Sequence, residues 1–135
     1  MRLTDGNGGL TAERALFANE AFYLAFGASD IDAMRNLWAS KHPVLCVHPG
    51  WRLLEGREAV LGSWQRILGN VQQPGIDFFN AEAHVQAGTV LVTCYEKIGD
   101  GVCLSTNGFV LEDDAPKMLL HHSGLCAEPP DDLLS

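Results

Sequence analysis

The chain has 135 residues and a mass of 14.7 kDa, with 17 acidic residues against 9 basic and a formal net charge of −8. That length fits one domain able to bury about two thirds of the surface its unfolded chain exposes, and 47% hydrophobic against 19% charged residues excludes a disordered chain. An acidic balance with no basic cluster excludes nucleic acid and anionic membrane surfaces as partners, and no apolar run reaches the ~18 residues of a membrane span.

Residues 1–10, with Asp5, Asn7 and three glycines, lack the apolar centre of a secretory leader, so a flexible leader and a cytoplasmic protein are expected. Thr11 to Gly27 is predicted to be a helix capped by Thr11. Glu13 and Glu20 mark one narrow polar stripe, and Leu16, Phe17, Phe22, Tyr23, Leu24 and Phe26 cover the rest, which predicts a largely buried helix. Ser29 is expected to cap a second helix, with Asp30 and Asp32 in its first turn and Ile31, Met34, Leu37 and Trp38 on one face.

An apolar strand over 44–48 then delivers His48 to its own end, where Pro49 and Gly50 break it and Trp51 follows at once. A titratable ring and a large aromatic meet at this strand tip, a place where small-molecule sites are often built. A third helix is predicted over 57–68, with Val60, Trp64, Ile67 and Leu68 inward and Gly69-Asn70 ending it. Segments 76–86, 90–98, 102–112 and 117–125 are rich in Val, Phe, Thr and Leu, and short turn sequences separate them, so they read as consecutive antiparallel strands. Helices first and a meander last gives an α+β fold: a curved antiparallel sheet covered on one face by three N-terminal helices. Residues 1–135 form a single domain in this reading, with a flexible tail over 126–135. Cys46, Cys94, Cys103 and Cys126 have no paired spacing and are expected to be reduced thiols.

Strand alternation decides which polar groups share a cavity. If His48 faces inward, so does Cys46; with Asn107 come Ser105 and Phe109, and on neighbouring strands Val92, Cys94 and Glu96, and Leu119, His121 and Ser123. His48 and His121 are then candidates for proton transfer or ligand orientation, or else structural histidines bonded beneath the helices. Asn107 is either an amide donor to a substrate carbonyl or a buried amide satisfying the strands. Trp51, Phe22, Trp38 and Cys94 are the candidate apolar lining of a ligand pocket, although Trp38 sits at helical spacing, which is more often plain core, and only the loop position of Trp51 points toward a ligand. Cys46, His48 and His121 could meet at a metal, but no spacing signature supports one, so no metal and no cofactor are expected. The outer sheet face, with Leu91, Thr93, Tyr95, Leu104, Thr106 and Val110, would be an exposed apolar patch, which predicts a homodimer.

Several strings also carry a resemblance over roughly residues 12–125: Ala28-Ser29-Asp30-Ile31-Asp32 with Leu37-Trp38, His48-Pro49-Gly50-Trp51 with Leu54-Glu55-Gly56-Arg57, Ser63-Trp64, Thr106-Asn107-Gly108-Phe109, and Leu120-His121-His122-Ser123. With this order of elements the chain resembles the nuclear transport factor two-like superfamily, closest to its SnoaL-like branch and to the association domain of calcium/calmodulin-dependent kinase II. The resemblance implies the cone-shaped α+β fold and a dimer through the outer sheet face. Its isomerases use a carboxylate base where His48 stands, a protonated acid where Asn107 stands, and a hydroxyl donor on the first helix that matches Phe22, so their steroid chemistry is not expected. The function implied is that of a SnoaL-like protein binding a small apolar carbonyl or hydroxyl compound, with proton transfer of the isomerase, cyclase or dehydratase type as its candidate reaction and none of the three isomerase parts present in its original form. The alternative is a non-catalytic dimerisation module of the kinase-association kind.

Overall fold

The computed structural model of the protein describes residues 9–70 and 75–133. Within them the chain runs α1 (Ala12–Gly27), α2 (Ile31–Leu37), β1 (Leu45–Val47), β2 (Leu54–Glu55), α3 (Arg57–Leu68), β3 (Ile76–Gln86), β4 (Thr89–Ile98), β5 (Gly101–Glu112) and β6 (Ala115–Leu125). The leader expected to be flexible falls, over residues 1–8, outside the described residues, as do 134–135 at the tail; Leu133 is buried.

Thr11 caps α1, its side chain accepting from Arg14 N at 3.1 Å. The helix buries Ala15, Ala18, Asn19, Phe22, Tyr23 and Ala25. It is less enclosed than its composition suggested, because Phe17 and Leu24 are 76% and 68% exposed on the opposite side. The second helix is capped by Asp30 and not by Ser29: Asp30 is extended and accepts from Ala33 N at 3.0 Å. Ser29 instead takes the left-handed conformation, φ 54, that turns the chain out of α1.

The six strands form one sheet in the order β2-β1-β6-β5-β4-β3. β3 to β6 make the expected antiparallel meander, but β1 lies parallel to β6, so the sheet is mixed. The two-residue β2 was not foreseen; it pairs with β1 through Leu54 and Glu55. Alternation holds on the inner face, where Val92, Cys94, Glu96, Ser105, Asn107, His121 and Ser123 are all buried. Leu119 departs from it. The register slips at Gly108/Phe109, pairing Phe109 with Met118 and Gly108 with Leu120, so Met118 takes the inward place. Val110, expected on an exposed patch, is buried, whereas Leu104 is 44% exposed.

One core joins all three helices to the sheet, with Phe22, Met34, Trp38, Trp64, Phe109 and Met118 among its fully buried members. Two polar devices set the helices against it. Arg57, the first residue of α3, donates to Trp38 O at 2.7 Å, Ala39 O at 3.0 Å and Arg35 O at 3.1 Å, placing a cation on carbonyls at the end of α2. Glu112, at the end of β5, accepts from Ser40 N, Lys41 N and the His42 ring at 2.9, 2.8 and 2.7 Å, anchoring the loop that leads into β1.

Candidate functional site

His48 follows the last residue of β1. Gly50, with φ 82, supplies the left-handed step of a tight turn in which Trp51 N donates to His48 O at 2.9 Å. The turn folds Trp51 back onto the imidazole, ring centroids 4.8 Å apart at 70°, and Trp64 of α3 meets the ring from a second side, also at 4.8 Å. His48 Nε2 is 2.9 Å from Ser63 Oγ. Since Ser63 gives its single proton to Val60 O at 2.6 Å, the hydroxyl must accept from the imidazole, and His48 carries its proton on Nε2. Cys46 Sγ lies 3.5 Å from Nε2 and 3.9 Å from Nδ1, where it serves at most as a weak donor to Nδ1.

His121 is fixed in the opposite tautomer. Asn107 Nδ2 donates to Asn19 Oδ1 at 2.7 Å and to Tyr23 OH at 3.2 Å, which orients the amide so that Oδ1 faces His121 Nδ1 at 2.7 Å. Nδ1 is therefore the donor and Nε2 the acceptor. Burial holds both rings neutral. His48 is pushed down from 6.5 to about 3 by desolvation, then by His121 and Arg66; His121 is pushed to about 3 by desolvation, then by His122.

A buried carboxyl completes the group. Tyr23 OH donates to Glu96 Oε2 at 2.5 Å and Ser123 Oγ to Oε1 at 2.6 Å. Desolvation raises the Glu96 carboxyl above its ordinary range despite the hydroxyls of Ser123, Tyr23 and Ser105, which favour the charged form. Tyr23 is itself raised well above 10 by burial and then by Glu96. The neighbouring thiols are not nucleophiles: burial pushes Cys46 to about 12 and Cys94 to about 11. All four cysteines are free.

These groups border a cavity of about 450 Å³. His48, Glu96 and His121, each at most 3% exposed, form its polar floor; Phe26, Ile67 and Ile98 supply apolar wall. Trp51 and Arg66 stand at the mouth, the guanidinium carbon 5.8 Å from the Trp51 ring centroid. Of the residues singled out from the sequence, His48, Trp51 and His121 line this one space. Asn107 does not; it lies behind His121 and acts on the cavity only through that ring. Phe22 packs behind the wall, 5.0 Å from the His121 ring and 5.4 Å from Trp64. Cys94 is covered by Tyr23 and Asn19, and Trp38 is bridged to Met118 deep in the core, so neither reaches the cavity.

Tyr23, Glu96, Ser63 and Arg66 carry parts of the site that sequence reasoning did not assign. The hydroxyl of α1 is on Tyr23, one residue beyond the position given to Phe22. Alternation did mark Glu96 as inward, and a carboxylate alternating with Val92 and Cys94 was the available signal. Among the described residues no group of three or more His, Cys, Asp or Glu side chains could hold a metal ion, and no helix is long and apolar enough to cross a membrane.

Comparison with known proteins fits this geometry. The sequence model of the SnoaL-like domain matches residues 16–128. A solved Streptomyces avermitilis protein, provisionally named a dehydratase of the NTF2-like family, superposes with a TM-score of 0.78 at 31% identity, over 87% of this chain and 96% of its own. A Thiobacillus denitrificans protein, provisionally named an association domain of calcium/calmodulin-dependent protein kinase type II, superposes with a TM-score of 0.67 at 33% identity, over 81% of this chain and 92% of its own. The F-box protein SKIP8 of Arabidopsis thaliana is 28% identical over 119 residues, and the chain spans about half of it, 51% of its length.

Proposed function

The chain belongs to the SnoaL-like domain family, and from that premise we propose that its cavity binds a small, largely apolar molecule bearing a hydroxyl or carbonyl group and transfers a proton on it, in the manner of an isomerase, cyclase or dehydratase. The observation that carries the reading is the floor itself: two imidazoles and a carboxyl, buried yet open to a space of about 450 Å³, a size suited to one or two rings. A protein interior without a ligand to orient has no need to desolvate three such groups together.

The roles divide by proton affinity. An imidazole at about 3 is a weak base at neutral pH, so His48 and His121 position the ligand. Glu96, raised above the ordinary carboxyl range by burial, bonded to two hydroxyls and facing the cavity, is the group that exchanges the proton. Asn107 is a positioning residue that sets the His121 tautomer.

The test is protein-observed NMR with a panel of single-ring alcohols, phenols and ketones, run on wild type and on Ile98→Trp, which fills the cavity. Shifts at His48, Glu96 and His121 that vanish in the filled variant support the reading. A panel that moves none of these residues overturns it in favour of a second reading, a non-catalytic association module. That second reading is favoured by the likeness to the Thiobacillus protein and by Leu104 and Leu125, 44% and 80% exposed at one end of β5 and β6. In both readings the protein is a homodimer through the outer sheet face, working in the cytoplasm.

A further inference from the structure

We infer that the cavity selects its ligand by hydrogen-bond donors: the floor is built to take a molecule that presents hydroxyl or N–H groups to it, and it disfavours the matching ketone or ether. The inference deepens the proposed function and rests on the same cavity.

It follows from counting protons on the floor. His48 gives Nε2–H to Ser63, whose own proton is committed to Val60 O, so Nδ1 is an acceptor, met within the protein only by the weak thiol donor of Cys46 at 3.9 Å. His121 gives Nδ1–H to Asn107, and among the described residues its hydrogen-bond contacts, Asn107 and Ser105, both lie at Nδ1, leaving Nε2 toward the cavity. The tautomer cannot reverse without cost. Asn107 would have to rotate its amide, pointing Oδ1 at Asn19 Oδ1 and turning Nδ2 away from Tyr23 OH. Glu96 receives the protons of Tyr23 and Ser123 on its two oxygens. The ring nitrogens left open on the floor are thus acceptors, and the carboxylate form of Glu96 is a third. Trp64 Nε1, an unpartnered donor beside the imidazoles, is sealed from the cavity. Among the described lining residues the side-chain donors are Arg66, Trp51 and Asn70, none of them on the floor and the first two at the mouth. A ketone brought to this floor sets its carbonyl oxygen against three acceptors, whereas a hydroxyl bonds to any of them.

The experiment uses two matched pairs, cyclohexanol against cyclohexanone and resorcinol against 1,3-dimethoxybenzene, titrated into the full chain by protein-observed NMR. The alcohol should bind about fivefold tighter than the ketone, and resorcinol at least about tenfold tighter than its ether, since each net hydrogen bond contributes a factor of roughly five. Ketone and ether binding as tightly as their partners would overturn the donor rule and leave the proposed function standing. Failure of all four to bind would overturn both. A second readout is independent of any ligand: long-range 1H–15N spectra of the imidazoles should show the Nε2–H tautomer for His48 and the Nδ1–H tautomer for His121. The reverse at either ring puts a donor on the floor and refutes the inference.

Discussion

Acid should unfold this protein through its two buried imidazoles, well before its carboxylates are exhausted. Both rings have a folded pKa near 3 against an ordinary 6.5, so the folded state binds fewer protons than the unfolded state across that window. The sign follows directly: their contribution is fully present above about pH 6.5 and is lost as pH falls toward 3. Between about pH 7 and pH 5 each ring removes about 2 kcal/mol, or about 4 kcal/mol together, a large share of a typical stability of about 5–15 kcal/mol. Glu96 acts in the opposite direction, because its raised pKa lets the folded state take up a proton as pH falls, and it offsets part of the loss. Glu112 enters only lower. Burial would raise it, but the His42 ring and the Ser40 and Lys41 amides hold it at about 2, so its contribution is lost as pH falls through the range from 4.5 to 2. The assay is urea unfolding followed by tryptophan fluorescence at half-unit steps of pH and fixed protein concentration. His48→Gln, which keeps an N–H for Ser63, should halve the loss to about 2 kcal/mol. Wild-type stability flat within about 1 kcal/mol over this range would mean that the rings titrate normally in the fold. The argument from neutral imidazoles would then fail.

Three further outcomes are expected. Arg57→Met removes the donors to Trp38 O, Ala39 O and Arg35 O and should cost about 1.5–3 kcal/mol in urea unfolding, while cyclohexanol binding stays unchanged; a cost below about 0.5 kcal/mol would deny the clamp its role. Tyr23→Phe strips a donor from Glu96 Oε2 and an acceptor from Asn107 Nδ2, and should cost about 1–3 kcal/mol for stranding buried polar groups, as checked by the same unfolding curves; no loss of stability would show that these bonds are replaced by water. Light scattering after size exclusion should give twice 14.7 kDa for wild type, and Leu104→Asp should shift it toward the monomer mass; a wild-type monomer at micromolar concentration refutes the dimer.

How much of this was legible in the sequence depended on what each signal encodes. The third helix and the strand boundaries of the meander emerged almost unchanged, because Gly69-Asn70, Ala87-Gly88, Gly99-Asp100-Gly101 and the turn at Asp113-Asp114 end their segments by backbone conformation, a local property. The rotation of α1 was not legible. With Phe22, Tyr23 and Phe26 near one another on a helix apolar nearly all round, periodicity cannot say which aromatic faces the strands, and the hydroxyl was given to the wrong neighbour. The cap of α2 was assigned to Ser29, one residue early, because two good capping residues stand in succession and the sequence does not show that Ser29 takes the left-handed turn out of α1. β2 is too short for any pattern. Trp38 read as a possible lining residue because helical spacing reveals a buried face but not its distance from a cavity at the far end of the same core.

The sheet itself explains why polar groups can be buried here at tolerable cost. Pairing across β4, β5 and β6 arranges the inner face in rows: Val90 with Phe109 and Met118, then Val92 with Asn107 and His121, then Cys94 with Ser105 and Ser123, then Glu96 with Cys103. The first row is wholly apolar and lies by Trp38, which is bridged to Met118. Polarity begins at the second row, where Asn19 of α1 accepts from Asn107, and reaches a carboxyl at the fourth, where Tyr23 of α1 donates to Glu96. Each polar row therefore rests on a better-packed one, so the desolvation of His121 and Glu96 is offset by hydrogen bonds along the rows and by hydrophobic burial at the closed end. The bulge at Gly108/Phe109 falls between the apolar row and the first polar one, and it lets Met118 fill the core while His121 still faces inward two rows from Glu96. Packing is thus concentrated in the apolar rows of the face, which lets the cavity end hold polar groups that would otherwise weaken the fold.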